Sequence, residues 1–264
     1  LDSAFLGLDI IADSDSGFIA VYSKRSNDHL WFEVHGIRFY GYSYNYSIRS
    51  SGMIMRVKPE PTTVKGSYEM ALCNLSNGNY GAFAIVRTYY SSGSISLHIA
   101  IGLSFHFTDS LLMVSGTNAE VFELQNIPFE TYYTHLKICG LDNNYTAMTW
   151  RNGYTSTSYY AVFKNAIAIK SATSLGNITL IDLKPIRHST NKFVLLCSTS
   201  STAHYIKLFN SSGFVLINKQ YSSRNLSNPR IVVDSTNAFN ILATDNNLGS
   251  TWLVINRFDF DGTR

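Results

Sequence analysis

Charged residues are scarce in this sequence. Asp, Glu, Lys and Arg make up 15% of the 264 residues, against about 25% in an average soluble protein. The 21 basic and 18 acidic side chains leave a formal net charge of +3, and the basic ones are scattered along the chain. Nucleic-acid-binding proteins present clustered basic surfaces, so the composition argues against nucleic acid as a partner. The polar surface must consist largely of hydroxyl and amide groups.

Cysteine is equally rare. Cys73, Cys139 and Cys197 show no CxxC or Cys/His spacing, which argues against a zinc site and against a disulfide-dense scaffold. We expect buried small side chains, with one disulfide between Cys73 and Cys139 as the alternative. The seven histidines are spread out, and phosphate-loop, dinucleotide-binding and serine-elbow motifs are missing. We therefore predict neither a bound metal nor a cofactor.

Long apolar runs and helical periodicity are missing too. No run of about 18 apolar residues is present, so the sequence predicts no membrane span. The chain opens Leu-Asp-Ser-Ala without a Met, and we expect it to be part of a longer or processed polypeptide. No stretch combines a 3.6-residue apolar period with caps. These absences leave an all-β protein.

What the sequence does contain is a recurring strand, seen first at Phe18–Ser23, in which a turn is followed by an aromatic residue, apolar residues and a small hydroxyl. Similar strands begin 46 to 65 residues apart, at Phe83, Tyr145, Phe193 and Phe239. One four-stranded propeller blade occupies about 40 to 50 residues. We predict that residues 1–264 form a single β-propeller domain of about five blades. The alternative is two packed β-sandwich domains that divide near residue 130.

Two segments interrupt the period. Residues 48–66 contain Pro59 and Pro61, and residues 120–134 contain Pro128. We interpret residues 48–66 as an inserted hairpin or loop and residues 120–134 as a second insertion, because proline is confined to edges and connections of sheets. The last repeat ends shortly after Phe258, so we expect it to lack an outermost strand.

Two phrases resemble known propeller repeats. Residues 17–41 and their echo from Phe239 onward resemble the irregular repeats of large secreted and cell-surface proteins. Residues 245–252, Asp-Asn-Asn-Leu-Gly-Ser-Thr-Trp, are similar to the Asp-box of sialidase-type propellers, with Asn247 where that family has Asp. In that family the motif is a structural turn distant from catalysis, so the resemblance implies a fold and no active-site residue.

Six sequons indicate export. With the low charge, they favour an extracellular, cell-surface or virion-surface location. The candidate glycosylation sites are Asn45, Asn74, Asn144, Asn177, Asn210 and Asn225.

Carboxylates on inner strands are what a propeller glycosidase would need. The candidates on predicted inner strands are Asp9, Glu69 and Asp182, and those in or beside the following turns are Asp13, Asp142 and Asp234. Because an aspartate at a turn bonds its own backbone, and because these acids recur in register, we interpret them as structural.

The sequence thus favours a non-catalytic structural or attachment module that binds a protein partner or a host-cell glycan. The alternative is a secreted glycan-cleaving enzyme. Aromatic side chains near the two insertions would supply the binding anchors. They are Tyr42, Tyr44, Tyr46, Phe129, Tyr132 and Tyr133.

Overall fold

A computed structural model describes most of the chain. The described residues are 5–13, 17–28, 30–42, 45–58, 63–74, 79–89, 95–107, 111–114, 118–127, 133–143, 145–152, 155–164, 167–186, 191–234, 236, 238–245 and 252–259. The chain divides into two compact units, residues 1–130 and 131–264.

The first unit contains two antiparallel sheets. The first sheet runs in the order β1-β2-β3-β4, and in the second β5-β6-β7 is continued by β8 and β9, which both pair with β7. The strands are β1 (Phe5–Ala12), β2 (Gly17–Arg25), β3 (Phe32–Tyr42), β4 (Asn45–Val57), β5 (Thr63–Asn74), β6 (Tyr80–Tyr89), β7 (Ile95–Phe107), β8 (Leu112–Val114) and β9 (Asn118–Ile127). Strand β1 packs beside β5, so the innermost strands of the two sheets are neighbours.

The second unit contains three antiparallel sheets, each of which follows the chain order. The third sheet is β10 (Tyr133–Gly140), β11 (Tyr145–Asn152), β12 (Ser158–Lys164) and β13 (Ile167–Gly176); the fourth is β14 (Thr179–Ile186), β15 (Lys192–Ser198), β16 (His204–Phe209) and β17 (Val215–Ser222); the fifth is β18 (Leu226–Val233), β19 (Phe239–Asp245) and β20 (Trp252–Phe258). Strand β14 packs beside both β10 and β18. The prediction that the last repeat lacks a fourth strand holds for the residues that the structure describes.

Each sheet is one blade of a β-propeller, as predicted. The fourth sheet shows why a two-layer sandwich does not fit: Phe193 and Leu195 belong to the core shared with the third sheet, whereas Val194 and Leu196 belong to the core shared with the fifth. Alternate residues of a strand point to opposite faces, so a run of apolar residues in β15 is buried on both sides. Among the described residues, none lies in a helix that could cross a membrane.

Pairs of aromatic rings hold the second and third strands of most sheets together. Phe18 stacks on Phe39 with ring centroids 4.6 Å apart, and Phe193 stacks on Phe209 at 4.7 Å. In the second sheet the corresponding ring is Tyr80, which faces Phe105 at 5.8 Å. The sequence alignment had placed Phe83 there. Both residues are aromatic and lie three apart, so only the cross-strand partner distinguishes them.

The two predicted insertions are largely strands, so the interpretation of these residues as loops was wrong. Residues 48–57 belong to β4, and residues 120–127 belong to β9. Both are outer strands of their sheets. Pro59, Pro61 and Pro128 lie outside the described residues.

All three cysteines are buried thiols, and none forms a disulfide. The expectation of buried small side chains is thereby confirmed over the disulfide alternative. Burial raises the pKa of the Cys197 thiol to about 11, which keeps it protonated at neutral pH.

Candidate functional site

Asp9 lies on the innermost strand of the first sheet, and its carboxylate links that sheet to the second. One oxygen, Oδ2, accepts a hydrogen bond from the Leu72 backbone N–H on β5 at 2.7 Å. The other, Oδ1, accepts one from the Ile10 N–H at 2.9 Å. The side chain is half-buried. Both donors are peptide groups, so the carboxylate is fixed in position as an acceptor.

Asp182 repeats this arrangement on the innermost strand of the fourth sheet. Its Oδ2 accepts a hydrogen bond from the Ile231 N–H on β18 at 2.9 Å, and its Oδ1 accepts one from the Leu183 N–H at 2.9 Å. The two aspartates also occupy equivalent positions in the register with the second strand of their sheets. Asp9 lies opposite Val21 and Asp182 opposite Leu196, and each of these partners comes three residues after the leading aromatic of its strand. The two differ in burial, because Asp182 is only 6% exposed. Asp182 is therefore a latch between neighbouring sheets.

Glu69 is the second inner-strand carboxyl of the first unit. It lies on β5 opposite Ile85, directly after an irregularity in the pairing between Ser67 and Glu69; its side chain lies outside the described residues. Bulges of this kind re-aim side chains and are enriched next to active sites. Strands β1 and β5, which pack side by side, thus each carry one carboxyl residue, Asp9 and Glu69.

Asp13 and Asp234 stabilise the turn that follows an innermost strand. Arg38 Nε donates to Asp13 Oδ2 at 2.6 Å, and the Tyr80 hydroxyl donates to its Oδ1 at 3.0 Å. Asp234 makes the equivalent ion pair with Arg257 at 3.4 Å. The hydrogen bond from the Thr236 hydroxyl, helped by Arg257, lowers the pKa of Asp234. These contacts are consistent with the structural interpretation of the two acids.

Asp142 acts through its backbone. The Asn191 side chain accepts a hydrogen bond from the Asp142 N–H at 3.0 Å and donates one to the Asp142 carbonyl oxygen at 2.9 Å. This amide clamp fixes the turn between β10 and β11. Among the described residues, no group of three His, Cys, Asp or Glu side chains could hold a metal ion.

A polar cavity of about 260 Å³ lies between the fourth and fifth sheets, and sequence reasoning missed it. Tyr221, Arg224 and Asn256 are among its lining residues. Arg224 Nη1 lies 3.0 Å from Asp245 Oδ2, and the Asp245 side chain is only 5% exposed. The two residues are 21 apart in sequence, so no local sequence motif predicts the pair.

A separate cavity of about 640 Å³ lies on the first sheet. Leu8, Ile10, Tyr22, Ile37 and Phe39 contribute to its lining, which is mostly hydrocarbon. No charged side chain of the described residues lines it. It offers no acid or base for chemistry.

The side chains of the six predicted aromatic anchors are not among those that the structure describes. Tyr44, Phe129 and Tyr132 lie outside the described residues, and the same holds for the side chains of Tyr42, Tyr46 and Tyr133, whose backbones lie in strands. Two of the sequon asparagines, Asn177 and Asn225, are exposed. Asn210 is half-buried, and its Oδ1 accepts hydrogen bonds from the Ser212 and Phe214 N–H groups.

Solved structures of similar fold exist, although no protein-family model and no curated protein matches the sequence. An α-L-arabinofuranosidase mutant from Fusarium graminearum, in complex with an iminosugar inhibitor, superposes with a TM-score of 0.50 at 9% identity, over 98% of this chain and 78% of that one. The GH43_1 enzyme from Xanthomonas citri complexed with xylotriose gives 0.43 at 9% identity, over 99% and 89%. An endo-arabinase from Bacteroides thetaiotaomicron gives 0.41 at 12% identity, over 100% and 97%.

These comparisons correct the expected function. The solved structure that superposes with a TM-score of 0.50 is named as an α-L-arabinofuranosidase, and the expectation of a non-catalytic attachment module was wrong.

Proposed function

We propose that this protein is a secreted enzyme that hydrolyses glycosidic bonds, with Asp9 and Glu69 as its two catalytic carboxyl groups. The observation that carries the proposal is the placement of one carboxyl residue on each of two neighbouring innermost strands, β1 and β5. The likeness in fold to an α-L-arabinofuranosidase supports it. Glycosidases hydrolyse their substrates with such a pair of carboxyl groups, one as acid and one as base or nucleophile.

We assign an inverting mechanism, in which one carboxyl group acts as base on a water molecule and the other as acid, because the Asp9 carboxylate is held as an acceptor.

The hydrogen bonds assign the roles. Two peptide N–H groups hold the Asp9 carboxylate as an acceptor, which suits a base that takes a proton from the attacking water. Glu69 is then the acid that protonates the leaving oxygen. The water attacks the anomeric carbon and loses one proton to Asp9, while Glu69 gives one proton to the leaving oxygen as its bond to that carbon breaks. Asp9 thus gains the proton count that Glu69 loses.

The test measures hydrolysis of nitrophenyl glycosides, beginning with the α-L-arabinofuranoside and the β-xyloside. We expect Asp9→Asn and Glu69→Gln each to lower kcat by about 10²–10⁴, the usual contribution of an acid or base. The matched control is Asp182→Asn, which removes the same charge from the same strand position in another sheet and should retain kcat in the folded fraction. Equal loss in all three variants, or full activity in Asp9→Asn, would contradict the assignment.

We also propose an extracellular location, which the six sequons and the low charge support. Attached glycans would add mass to the native protein at exposed sites such as Asn177 and Asn225. An unmodified intact mass, together with recovery of all the protein inside the cell, would exclude this location.

A further inference from the structure

The cavity between the fourth and fifth sheets carries balanced charges. Arg224, 68% exposed at its side chain, projects to the cavity, and Asp245 beneath it neutralises its charge at 3.0 Å. A site for an anion would need an uncompensated cation. Arg224 offers N–H donors to the cavity, Ser222 and Ser223 add hydroxyl groups that can donate and accept, and Asn256 adds an amide to the same lining. Such a mixture suits a neutral ligand whose hydroxyl groups both donate and accept.

An exposed indole borders this polar group. Trp252 is 67% exposed and stands directly opposite Asp245 in the β19–β20 register. Directly opposed residues of an antiparallel pair have Cβ atoms about 5 Å apart on one face of the sheet. Trp252 therefore lies on the same face as Val254 and Asn256, which line the cavity. An exposed ring next to fixed polar groups can cover the C–H face of a ligand while those groups bind its hydroxyls.

Tyr221 adds a buried hydroxyl to the cavity wall. Its ring packs edge-on against Phe258 with centroids 6.4 Å apart. The hydroxyl has no hydrogen-bond partner among the described residues, although buried polar groups are nearly always paired. Burial raises the pKa of Tyr221, so the group remains a neutral phenol. A bound hydroxylated molecule, or water held with it, would complete its hydrogen bonding.

We propose that Trp252, Arg224 and Asn256 form a binding site for one sugar residue of a neutral glycan, in which Asp245 holds Arg224 in place and neither Asp9 nor Glu69 takes part. The cavity, at about 260 Å³, is smaller than the roughly 300–1,000 Å³ of drug-sized pockets, which limits the buried part of the ligand to one ring. The sugar ring stacks on Trp252 by its apolar face, and its hydroxyl groups bind Arg224 and Asn256.

The test follows tryptophan fluorescence during titration with L-arabinose, D-xylose, D-galactose and D-glucose, with D-glucuronate as the charged counterpart of glucose. The protein carries Asp9→Asn, so that binding is read without hydrolysis. We expect a saturable change with at least one neutral sugar and weaker binding of glucuronate than of glucose. Isothermal titration of the same sugars supplies a readout that does not depend on an indole.

Three substitutions locate the site. Trp252→Ala and Arg224→Met should each weaken binding at least tenfold. Leu253→Ala is the matched control, because Leu253 is adjacent, 69% exposed and on the opposite face of β20, and it should bind as the parent does. Absence of saturable binding in the parent, tighter binding of glucuronate, or equal weakening by Leu253→Ala would overturn the proposal. If the catalytic groups prove to be residues other than Asp9 and Glu69, the sugar-binding proposal is unaffected, because binding is measured separately from hydrolysis.

Discussion

Replacing Asp182 by alanine should destabilise the second unit substantially. Its carboxylate, on the fourth sheet, accepts the hydrogen bond of the Ile231 N–H on the fifth sheet, and alanine cannot accept it. Hydrogen bonds to a charged acceptor contribute about 1.5–3 kcal/mol each, and a buried donor left unpaired costs about 1–3 kcal/mol. Asp182 is 6% exposed, so water cannot readily take its place. The bond to Leu183 is local and adds less, and Lys184 at 4.0 Å is half-exposed and contributes little.

These contributions give a loss of about 3–4 kcal/mol for Asp182→Ala. At roughly 2–4 °C per kcal/mol for a chain of this size, Tm should fall by about 10 °C. Asp9→Ala breaks the equivalent bonds at a half-buried position, where water can replace the carboxylate, and we expect a loss of about 1–2 kcal/mol. Urea unfolding followed by circular dichroism measures both. A loss below about 1 kcal/mol for Asp182→Ala, or a larger loss for Asp9→Ala, would refute the latch as an energetic element.

Two further predictions concern charge and thiols. Burial by itself would raise the pKa of Glu33, but hydrogen bonds from His35 and Lys24 outweigh burial and leave the pKa below its ordinary value of 4.5. A carboxyl group whose folded pKa is depressed stabilises the protein above its unfolded pKa and loses that contribution as pH falls. When the pH is lowered below about 4.5, the urea concentration at the unfolding midpoint should therefore decrease in the parent, and it should decrease less steeply in Glu33→Gln. Cys73, Cys139 and Cys197 are buried thiols, so we expect Ellman's reagent to label all three after unfolding and none rapidly before it, and a rapid native reaction would contradict their burial.

The sequence could predict the sheets because their signal is local. A leading aromatic, an apolar run and a polar turn all lie within a few residues, and this pattern placed β2, β15 and β19 correctly. The second sheet shows the limit: Tyr80 and Phe83 are equivalent candidates until the partner strand is known, and Phe105 selects Tyr80. The outer strands β4 and β9 were missed because Pro59, Pro61 and Pro128, which follow them, indicated connections.

The candidate site was predicted only in part, for a physical reason. Asp9 and Glu69 could be named as inner-strand acids, yet the donor that fixes Asp9 is the backbone N–H of Leu72, a group that almost every residue possesses. No sequence pattern marks such a donor. The Arg224–Asp245 pair could not be predicted for a different reason: Arg224 lies just before β18 and reaches Asp245 only because the β18–β19 register places Leu226 opposite Asp245.

A carboxylate that binds a backbone N–H is indifferent to the side chain of the residue that donates. Strand β18 can therefore exchange Ile231 for other residues that fit the core without losing the bond to Asp182, and proline alone would abolish it because it has no N–H. The same holds for Leu72 on β5. The latch therefore places no constraint on the side chains at Ile231 and Leu72, whose N–H groups donate, while the sheet that accepts the hydrogen bond must keep its aspartate. Two sheets joined in this way can diverge in sequence almost independently, and each can acquire new surface side chains while keeping the hydrogen bond to the next sheet.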